Sequence, residues 1–379
     1  MAMIFRAVAA TTLATMLGCF AGGDARSSGV INSSEPYLLL VSFYRAEGQI
    51  HVLDDSPYDG VAVPVVDAYY SGPSPSFEQV QARFLSLERQ TAKQVWPWLF
   101  FNRMVGPQAG HAATTKLNTR IINGIDLDGR AGARTAFLNL WRVSLRQAKR
   151  SGAPGIVLDM EFYNNPQAYS LEALAQQRSA LPSALESQLR RLGSEMATIA
   201  NVEFPNALVW TLVTGLTENG PPPAEASTRG YVLIGFLDAV RRHHFHLTLL
   251  DGGEDSLGYC HDSLSQLAAA IRSRNEESRH YLHAYGQALA LAGTIAMWVD
   301  STTRIGWLRQ GDCGLSDVNN PRDFQPYLKV LLSNYKYVWI YAPIAGQYDP
   351  YNASQTSVLN AVLRQAKATI EAHPRTTTR

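Results

Sequence analysis

The chain contains two carboxylates that a single buried strand could deliver to a reaction site. Residues 155–161 form a short apolar run that ends in Asp159 and Glu161. Side chains alternate between the two faces of an extended strand, so both carboxylates share one face with Val157. Neighbouring carboxylates can push their pKa values apart, which allows one to act as an acid and the other as a base. The pair therefore suits acid/base work on a glycosidic bond, with Glu161 as the general acid and Asp159 tuning and orienting it.

Such a pair needs a sheet that buries the strand and leaves its last residues open. Eight runs predict strands, at residues 36–44, 60–66, 95–104, 155–161, 207–214, 244–251, 294–300 and 337–343. Amphipathic stretches between most of them predict helices, at residues 77–93, 133–150, 171–200, 230–242, 261–289, 323–333 and 354–372. This alternation predicts an α/β fold, a single-domain (β/α)8 TIM barrel over residues 35–373. The alternative, an open doubly wound sheet, is disfavoured because no glycine-rich phosphate loop follows the first strand.

In a TIM barrel the chemistry gathers at the C-terminal ends of the strands. Glu254 follows the sixth predicted strand, and Asp300 ends the seventh. We therefore predict Glu254 as the nucleophile or base that works with the acid of strand four, with Asp300 in reserve.

A structural role is the alternative for two other acids. Asp159 could accept hydrogen bonds from loop amides, and Asp251 could cap the turn of two glycines that follows it.

Aromatic and amide side chains are also placed near the predicted strand ends. Aromatic rings stack on sugar rings, and amides and carboxylates hydrogen-bond to hydroxyl groups. The open end of the barrel formed by the C-terminal strand ends, here called the mouth, therefore suits a neutral, polyhydroxylated ligand. The predicted substrate-binding residues are Trp98, Asn102, Tyr163, Tyr259, Trp298, Trp339 and Tyr341. Packing is the alternative for several of them: the two later tryptophans could fill the barrel, and Tyr259 could pack its loop.

Composition and motifs argue against several other functions. The net charge is +1 and no basic run stands out, so nucleic acid is not an expected partner. His244 and His246 form an H-x-H pair, but they begin the sixth predicted strand and so belong to the face opposite the mouth. With no C-x-x-C motif either, we predict neither a catalytic metal nor any other cofactor. No G-x-S-x-G elbow supports a serine hydrolase.

The N-terminus predicts export. Residues 1–21 carry Arg6 ahead of an apolar stretch too short to span a bilayer, which is typical of a signal peptide. The segment around Cys19 also resembles a lipobox, so Cys19 is a lipidation candidate that would anchor the protein to a membrane. Cleavage near Ala21 or Ala25 is the competing interpretation. Residues 22–34 predict a flexible tether, and the mature protein is expected in the periplasm, in the medium or on the outer surface.

Export gives the remaining cysteines a predicted role. Cys260 and Cys313 follow strands six and seven, which are neighbours in a barrel, and an oxidising compartment favours a disulfide between them. Two free buried thiols are the alternative.

Residues 155–163 resemble the fourth-strand signature of chitinase-type glycoside hydrolases, which ends in D-x-E followed by an aromatic residue. This resemblance implies that Glu161 is the general acid and that Asp159 orients an acetamido group of the substrate. Trp339 is similar to the tryptophan that floors the sugar pocket in those enzymes. The first acidic position of the family signature is Ile156 here, and the family's sixth-strand tyrosine motif is not recognisable.

A second resemblance covers the C-terminal half of the chain. Residues 251–259, the end of strand seven and residues 337–341 are similar to exported barrel proteins grouped with glycoside hydrolases. Together with the acids, it predicts a glycoside hydrolase that cleaves a poly- or oligosaccharide by carboxylate acid/base catalysis. The alternative is a non-catalytic carbohydrate-binding barrel, such as a surface lipoprotein.

Overall fold

The computed structural model describes residues 35–42, 48–66, 75–101, 132–160, 170–216, 227–258, 261, 263–296, 321–342, 350–351 and 353–372. Within them, nine strands form one parallel sheet in the order β7-β6-β5-β4-β3-β2-β1-β9-β8. The strands are β1 (Tyr37–Ser42), β2 (Gly60–Pro64), β3 (Gln94–Phe100), β4 (Gly155–Asp159), β5 (Leu208–Thr211), β6 (Thr248–Asp251), β7 (Leu289–Leu291), β8 (Gly293–Ala296) and β9 (Tyr337–Ala342).

The sheet closes into a barrel through one interrupted strand. β7 pairs with β6 and β8 pairs with β9, yet only Ala292 separates β7 from β8. Residues 289–296 therefore join the two edges of the sheet, and β7 and β8 together serve as one strand of an eight-stranded barrel. The predicted TIM-barrel fold is confirmed.

Helices surround this barrel. In the described part of the chain they are α1 (Phe77–Glu88), α2 (Gly132–Ser151), α3 (Leu171–Arg178), α4 (Pro182–Glu203), α5 (Thr228–His243), α6 (Glu254–Leu257), α7 (Leu264–Tyr285), α8 (Pro321–Asn334) and α9 (Ala353–Ala372), with short 3-10 helices at Ile50–Asp55 and Gly286–Ala288. Serine side chains cap the N-termini of α1, α3, α5 and α7, each accepting a hydrogen bond from a backbone N–H of the first turn. None of the described helices is both long and apolar enough to cross a membrane.

Several predicted boundaries were wrong, and left-handed residues explain most of the differences. Ser179 adopts φ 50° and Pro182 begins a new helix, so the single helix predicted over 171–200 is α3 followed by α4. His244 adopts φ 53° and ends α5, so β6 begins at Thr248 and not at residue 244. Gly286, with φ 54°, ends α7 and lets the closing strand begin at Leu289 instead of Thr294.

Alternating residues of β1 belong to two different clusters of the core. Leu38 and Leu40 of β1 pack in an outer cluster with α1, α8 and α9, whereas Leu39 and Val41 belong to the cluster that contains the inner tryptophans. Aromatic rings fill the barrel near the N-terminal ends of its strands. Trp96 lies 5.7 Å from Tyr37 and 5.8 Å from Trp210, measured between ring centroids. Side chains therefore fill the interior of the barrel below its C-terminal end.

Two glycines allow α4 and α5 to cross at close range. A methyl group at Gly193 would lie 2.7 Å from the backbone nitrogen of Phe236, and one at Gly235 would lie 2.6 Å from the carbonyl carbon of Arg190. Real Cβ contacts essentially never fall below 3.0 Å. Only hydrogen at both positions permits this approach of the two backbones.

Candidate active site

Backbone hydrogen bonds bring the C-terminal ends of β3 to β6 together in a stepped arrangement. Phe101 N–H donates to Asp159 O at 2.7 Å, and Leu212 N–H donates to Leu158 O at 3.2 Å. Glu254 N–H in turn donates to Leu212 O at 3.2 Å. Asp159 and Glu254 thus belong to the same end of the barrel, with β5 between their strands.

Asp159 is the last residue of β4 and is buried, with 1% of its surface exposed. In the register it stands beside Phe100 of β3, two residues after the Trp98–Val157 pair, and side chains at these positions share one face of the sheet. Trp96, on the same face of β3 as Trp98, packs 5.8 Å from Trp210 of β5 with β4 between the two strands, so this face lines the inside of the barrel. Asp159 therefore faces the inside of the barrel at the C-terminal end, as the alternation predicted.

Glu254 begins the one-turn helix α6, and a pair of glycines brings the chain there from β6. A methyl group at Gly252 would lie 2.7 Å from the carbonyl oxygen of Leu212, and Gly253 adopts φ 71° in the left-handed region. Both positions favour glycine, so the turn is built into the sequence. The Glu254 side chain is buried, with 5% of the residue exposed.

Asp251 has the structural role that the sequence offered as its alternative. Its Oδ1 accepts a hydrogen bond from Gly253 N–H at 3.0 Å and so closes the turn that leads to Glu254. The same oxygen lies 3.1 Å from Nη2 of Arg274, a residue of α7. Asp251 is therefore committed to holding the loop.

The described aromatic candidates are differently placed. Trp98 and Trp339 have 0% of their surface exposed, and Trp339 Nε1–H donates to Gly252 O at 3.0 Å. Trp98 packs against Phe100 with 4.7 Å between ring centroids. Tyr341, two residues beyond Trp339 on the same face of β9, is partly exposed. Burial favours a packing role for the two tryptophans, while their role in binding substrate stays a prediction.

The remaining site predictions fall on residues outside the described ranges. They are Glu161, Asp300, Asn102, Tyr163, Tyr259, Trp298, Cys260, Cys313 and Cys19.

The histidine pair lies where the sequence placed it. His244 and His246 stand between α5 and β6, and so at the N-terminal end of the sixth strand, opposite the mouth. Among the described residues, no three His, Cys, Asp or Glu side chains lie close enough together to hold a metal ion.

Arg274 is a buried charged residue near this site that the sequence analysis missed. It lies on the buried stripe of α7 with Leu267, Ile271 and Tyr281. This stripe is its signal in the sequence, because a charge at helical spacing among apolar residues predicts a buried ion with a fixed partner. Burial raises the pKa of the nearby Tyr335 hydroxyl, and the positive charge of Arg274 opposes that rise.

Comparison with known proteins adds information about the fold. No family model matches the chain, and no curated protein matches its sequence. Endo-glycoceramidase II from Rhodococcus sp., in its complex with a cellobiose-like imidazole, is similar with a TM-score of 0.52 and 10% identity, over 86% of this chain and 78% of that one. A glycoside hydrolase family 5 enzyme from Prevotella bryantii B14 gives a TM-score of 0.52 and 9% identity, over 89% and 96%. At such identities the likeness shows the TIM-barrel fold.

Proposed function

We propose that this protein hydrolyses glycosidic bonds of an oligo- or polysaccharide by carboxylate acid/base catalysis. The observation that carries the proposal is the placement of two buried acids at one end of a TIM barrel: Asp159 at the end of β4 and Glu254 directly after β6. Reactions in this fold take place at that end, where side chains from several strands meet. Glycoside hydrolysis needs a pair of carboxyl groups on opposite sides of the scissile bond.

In the proposed mechanism, Glu161 protonates the glycosidic oxygen as the sugar–oxygen bond breaks. Glu254 either attacks the anomeric carbon or removes a proton from the attacking water, and Asp300 is the reserve for this role. Asp159, two residues before Glu161, orients the acid and the substrate. A separation of about 5–5.5 Å between the two carboxyl groups would give retention, and about 6.5–9.5 Å would give inversion.

The similar structures support a carbohydrate ligand. The structure of endo-glycoceramidase II that resembles this chain contains a cellobiose-like imidazole. A second structure of the same enzyme, similar to this chain with a TM-score of 0.50, contains the ganglioside GM3. The partly exposed Tyr341 and the predicted aromatics Tyr163, Tyr259 and Trp298 would supply stacking surfaces for such a ligand.

Isosteric variants test the two catalytic roles. On a panel of polysaccharides and aryl glycosides, Glu161→Gln and Glu254→Gln should each lower turnover by about 10²- to 10⁴-fold, the usual worth of a proton-transfer residue. Glu276→Gln is the matched control, because that carboxylate is exposed on α7 and pairs only with Arg279 among the described contacts. Turnover that survives in Glu161→Gln would remove that residue as the acid.

The stereochemistry of the wild-type product separates the two roles offered for Glu254. A first product of retained anomeric configuration, together with recovery of Glu254→Ala by azide on an activated aryl glycoside, would identify Glu254 as the nucleophile. A first product of inverted configuration, with full activity in Asp300→Asn, would identify Glu254 as the base of an inverting enzyme. Full activity of Glu254→Ala would transfer the role to the reserve acid.

One observation favours the non-catalytic alternative. Glu254 is 5% exposed, and a carboxylate that stays buried cannot reach an anomeric carbon. In that case the barrel would bind carbohydrate without cleaving it. Glycan affinity with no product from any member of the panel, unchanged in Glu161→Gln, would establish this binding function in place of hydrolysis.

We also propose that the mature protein acts outside the cytoplasm, either held to a membrane through a lipid on Cys19 or released after cleavage near Ala21 or Ala25. The signal-like residues 1–21 and the tether at 22–34 support this proposal. Mass spectrometry of the mature N-terminus distinguishes a lipidated Cys19 from cleavage near Ala21, and an uncleaved chain would reject export. Thiol titration of the same sample tests the bridge between Cys260 and Cys313.

A further inference from the structure

Arg274 carries a positive charge into the apolar packing between α7 and the sheet. The residue has 3% of its surface exposed. A buried charge is costly unless it is paired and fully hydrogen-bonded. Its guanidinium stacks over the ring of Tyr335, with 5.3 Å between Cζ and the ring centroid. The free-energy cost of burying this charge must therefore be offset by specific hydrogen-bonding partners of the guanidinium.

Those partners all belong to the place where the barrel closes. Nη1 donates to Ala292 O and Nη2 donates to Asp251 O, each at 2.6 Å, and Nη2 also lies 3.1 Å from Asp251 Oδ1. Ala292 separates β7 from β8, and Asp251 is the last residue of β6. One guanidinium therefore ties the end of β6 to the break in the closing strand.

The loop that leads to Glu254 rests on the same guanidinium. A methyl group at Gly253 would lie 2.7 Å from both Nη atoms of Arg274. Gly253 N–H donates to Asp251 Oδ1, the oxygen that pairs with the guanidinium. Glu254 is the next residue, so only one peptide unit separates it from this contact.

We propose that Arg274 is a positioning residue that fixes the carboxylate of Glu254 at the barrel mouth. Through Asp251 and Gly253 it sets where α6 begins, and with it the position of Glu254 relative to Asp159 at the end of β4. This inference rests on the proposed catalytic role of Glu254. Lysine cannot replace arginine here, because its single ammonium lacks the planar fork that serves two carbonyls and a carboxylate together.

Steady-state kinetics of Arg274→Lys on a cleaved glycan test the proposal. A misplacement of about 1 Å costs on the order of 10²-fold in rate. We therefore expect kcat to fall by about 10- to 100-fold with KM within about twofold. Arg279→Lys, on the exposed face of the same helix, is the matched control and should keep the wild-type kcat.

A second variant protects the test from a folding failure. Gly253→Ala keeps the charge but pushes a methyl group against the guanidinium and strains a left-handed residue. It should show the same fall in kcat with KM unchanged. Wild-type kcat in either variant, measured per folded molecule, would overturn the proposal, because a residue that only stabilises the fold would change the folded fraction and not the turnover.

Hydrogen exchange separates a failure of this inference from a failure of the proposed function. In Arg274→Lys, amides of residues 252–258 should exchange faster than in wild type, while those in the middle of α4 stay unchanged. If the wild type cleaves no glycan but this local exchange rises, the hydrolase proposal fails and Arg274 still holds the loop. If exchange and kcat both stay at wild-type values, Arg274 has no positioning role and the hydrolase proposal stands.

Discussion

Replacement of Trp339 measures how firmly the β6–α6 loop is fixed from inside the barrel. The indole is fully buried, and its Nε1–H donates to Gly252 O at 3.0 Å. Removing a large buried aromatic side chain costs about 3–5 kcal/mol. The lost donor also leaves a buried carbonyl without its partner, which costs about 1–3 kcal/mol when taken alone. We therefore expect Trp339→Ala to lie near the upper end, at about 5 kcal/mol.

Trp339→Phe separates the two contributions, because it keeps most of the ring and removes the N–H. We expect it to cost about 1–2 kcal/mol, mostly from the unpaired carbonyl. In a domain larger than 150–250 residues, each 1 kcal/mol lowers the melting temperature by about 2 °C. The expected decreases are thus about 10 °C for the alanine variant and about 2–4 °C for the phenylalanine variant.

Calorimetric melting, with glycan affinity measured on the same samples, decides between packing and stacking. Tyr341→Ala is the matched control, because that ring lies on the same strand and face but is partly exposed. A melting temperature of Trp339→Ala within about 1 °C of the wild type, with lost glycan affinity, would refute the packing argument and make the indole a binding platform.

Two further predictions concern packing and pH. Gly193→Ala should destabilise the fold by about 2 kcal/mol in urea unfolding, because overpacking against Phe236 costs about 3 and alanine's helix preference returns about 1; stability equal to that of the exposed Ser187→Ala control would contradict this. Tyr58→Phe should stabilise by about 1 kcal/mol at pH 7, since the buried hydroxyl has no partner among the described residues. Burial raises the Tyr58 pKa, so the folded wild type keeps a proton that its unfolded state releases above about pH 10. The wild type therefore loses stability at about pH 11 while Tyr58→Phe does not, and the stability difference between them should grow; a difference that is the same at about pH 7 and pH 11 would contradict this prediction.

The barrel was predictable because its strands are continuous apolar runs separated by amphipathic stretches. Such runs locate strands well but locate their ends poorly. The start of β6 depends on the left-handed conformation of His244, a residue type that adopts it only in context. The closing strand was predicted to begin only at residue 294, five residues after its observed start. Ala292 and Gly293 do not favour a strand, and the three residues of β7 are too few to form a pattern.

The site was predictable only to the level of the strand ends. Alternation places Asp159 inside the barrel, and the glycine pair places Glu254 after a tight turn; the structure agrees with both. Alternation does not tell how far below the mouth an inward ring lies. Trp339 therefore had both a binding and a packing interpretation from the sequence, and the burial that favours packing is visible only once the helices and loops are in place.

The loop before Glu254 is held from both faces of the sheet, and this bears on what the carboxylate can do. From inside the barrel, Trp339 binds the carbonyl of Gly252; from the helix side, Arg274 supports Gly253 and pairs with Asp251. A group fixed in this way needs no reorganisation as charge develops in a transition state, which is the main source of electrostatic catalysis. The same fixation makes a large movement of Glu254 on substrate binding costly. Catalysis by Glu254 therefore requires the substrate to come to the carboxylate, because the carboxylate is not free to move toward the substrate.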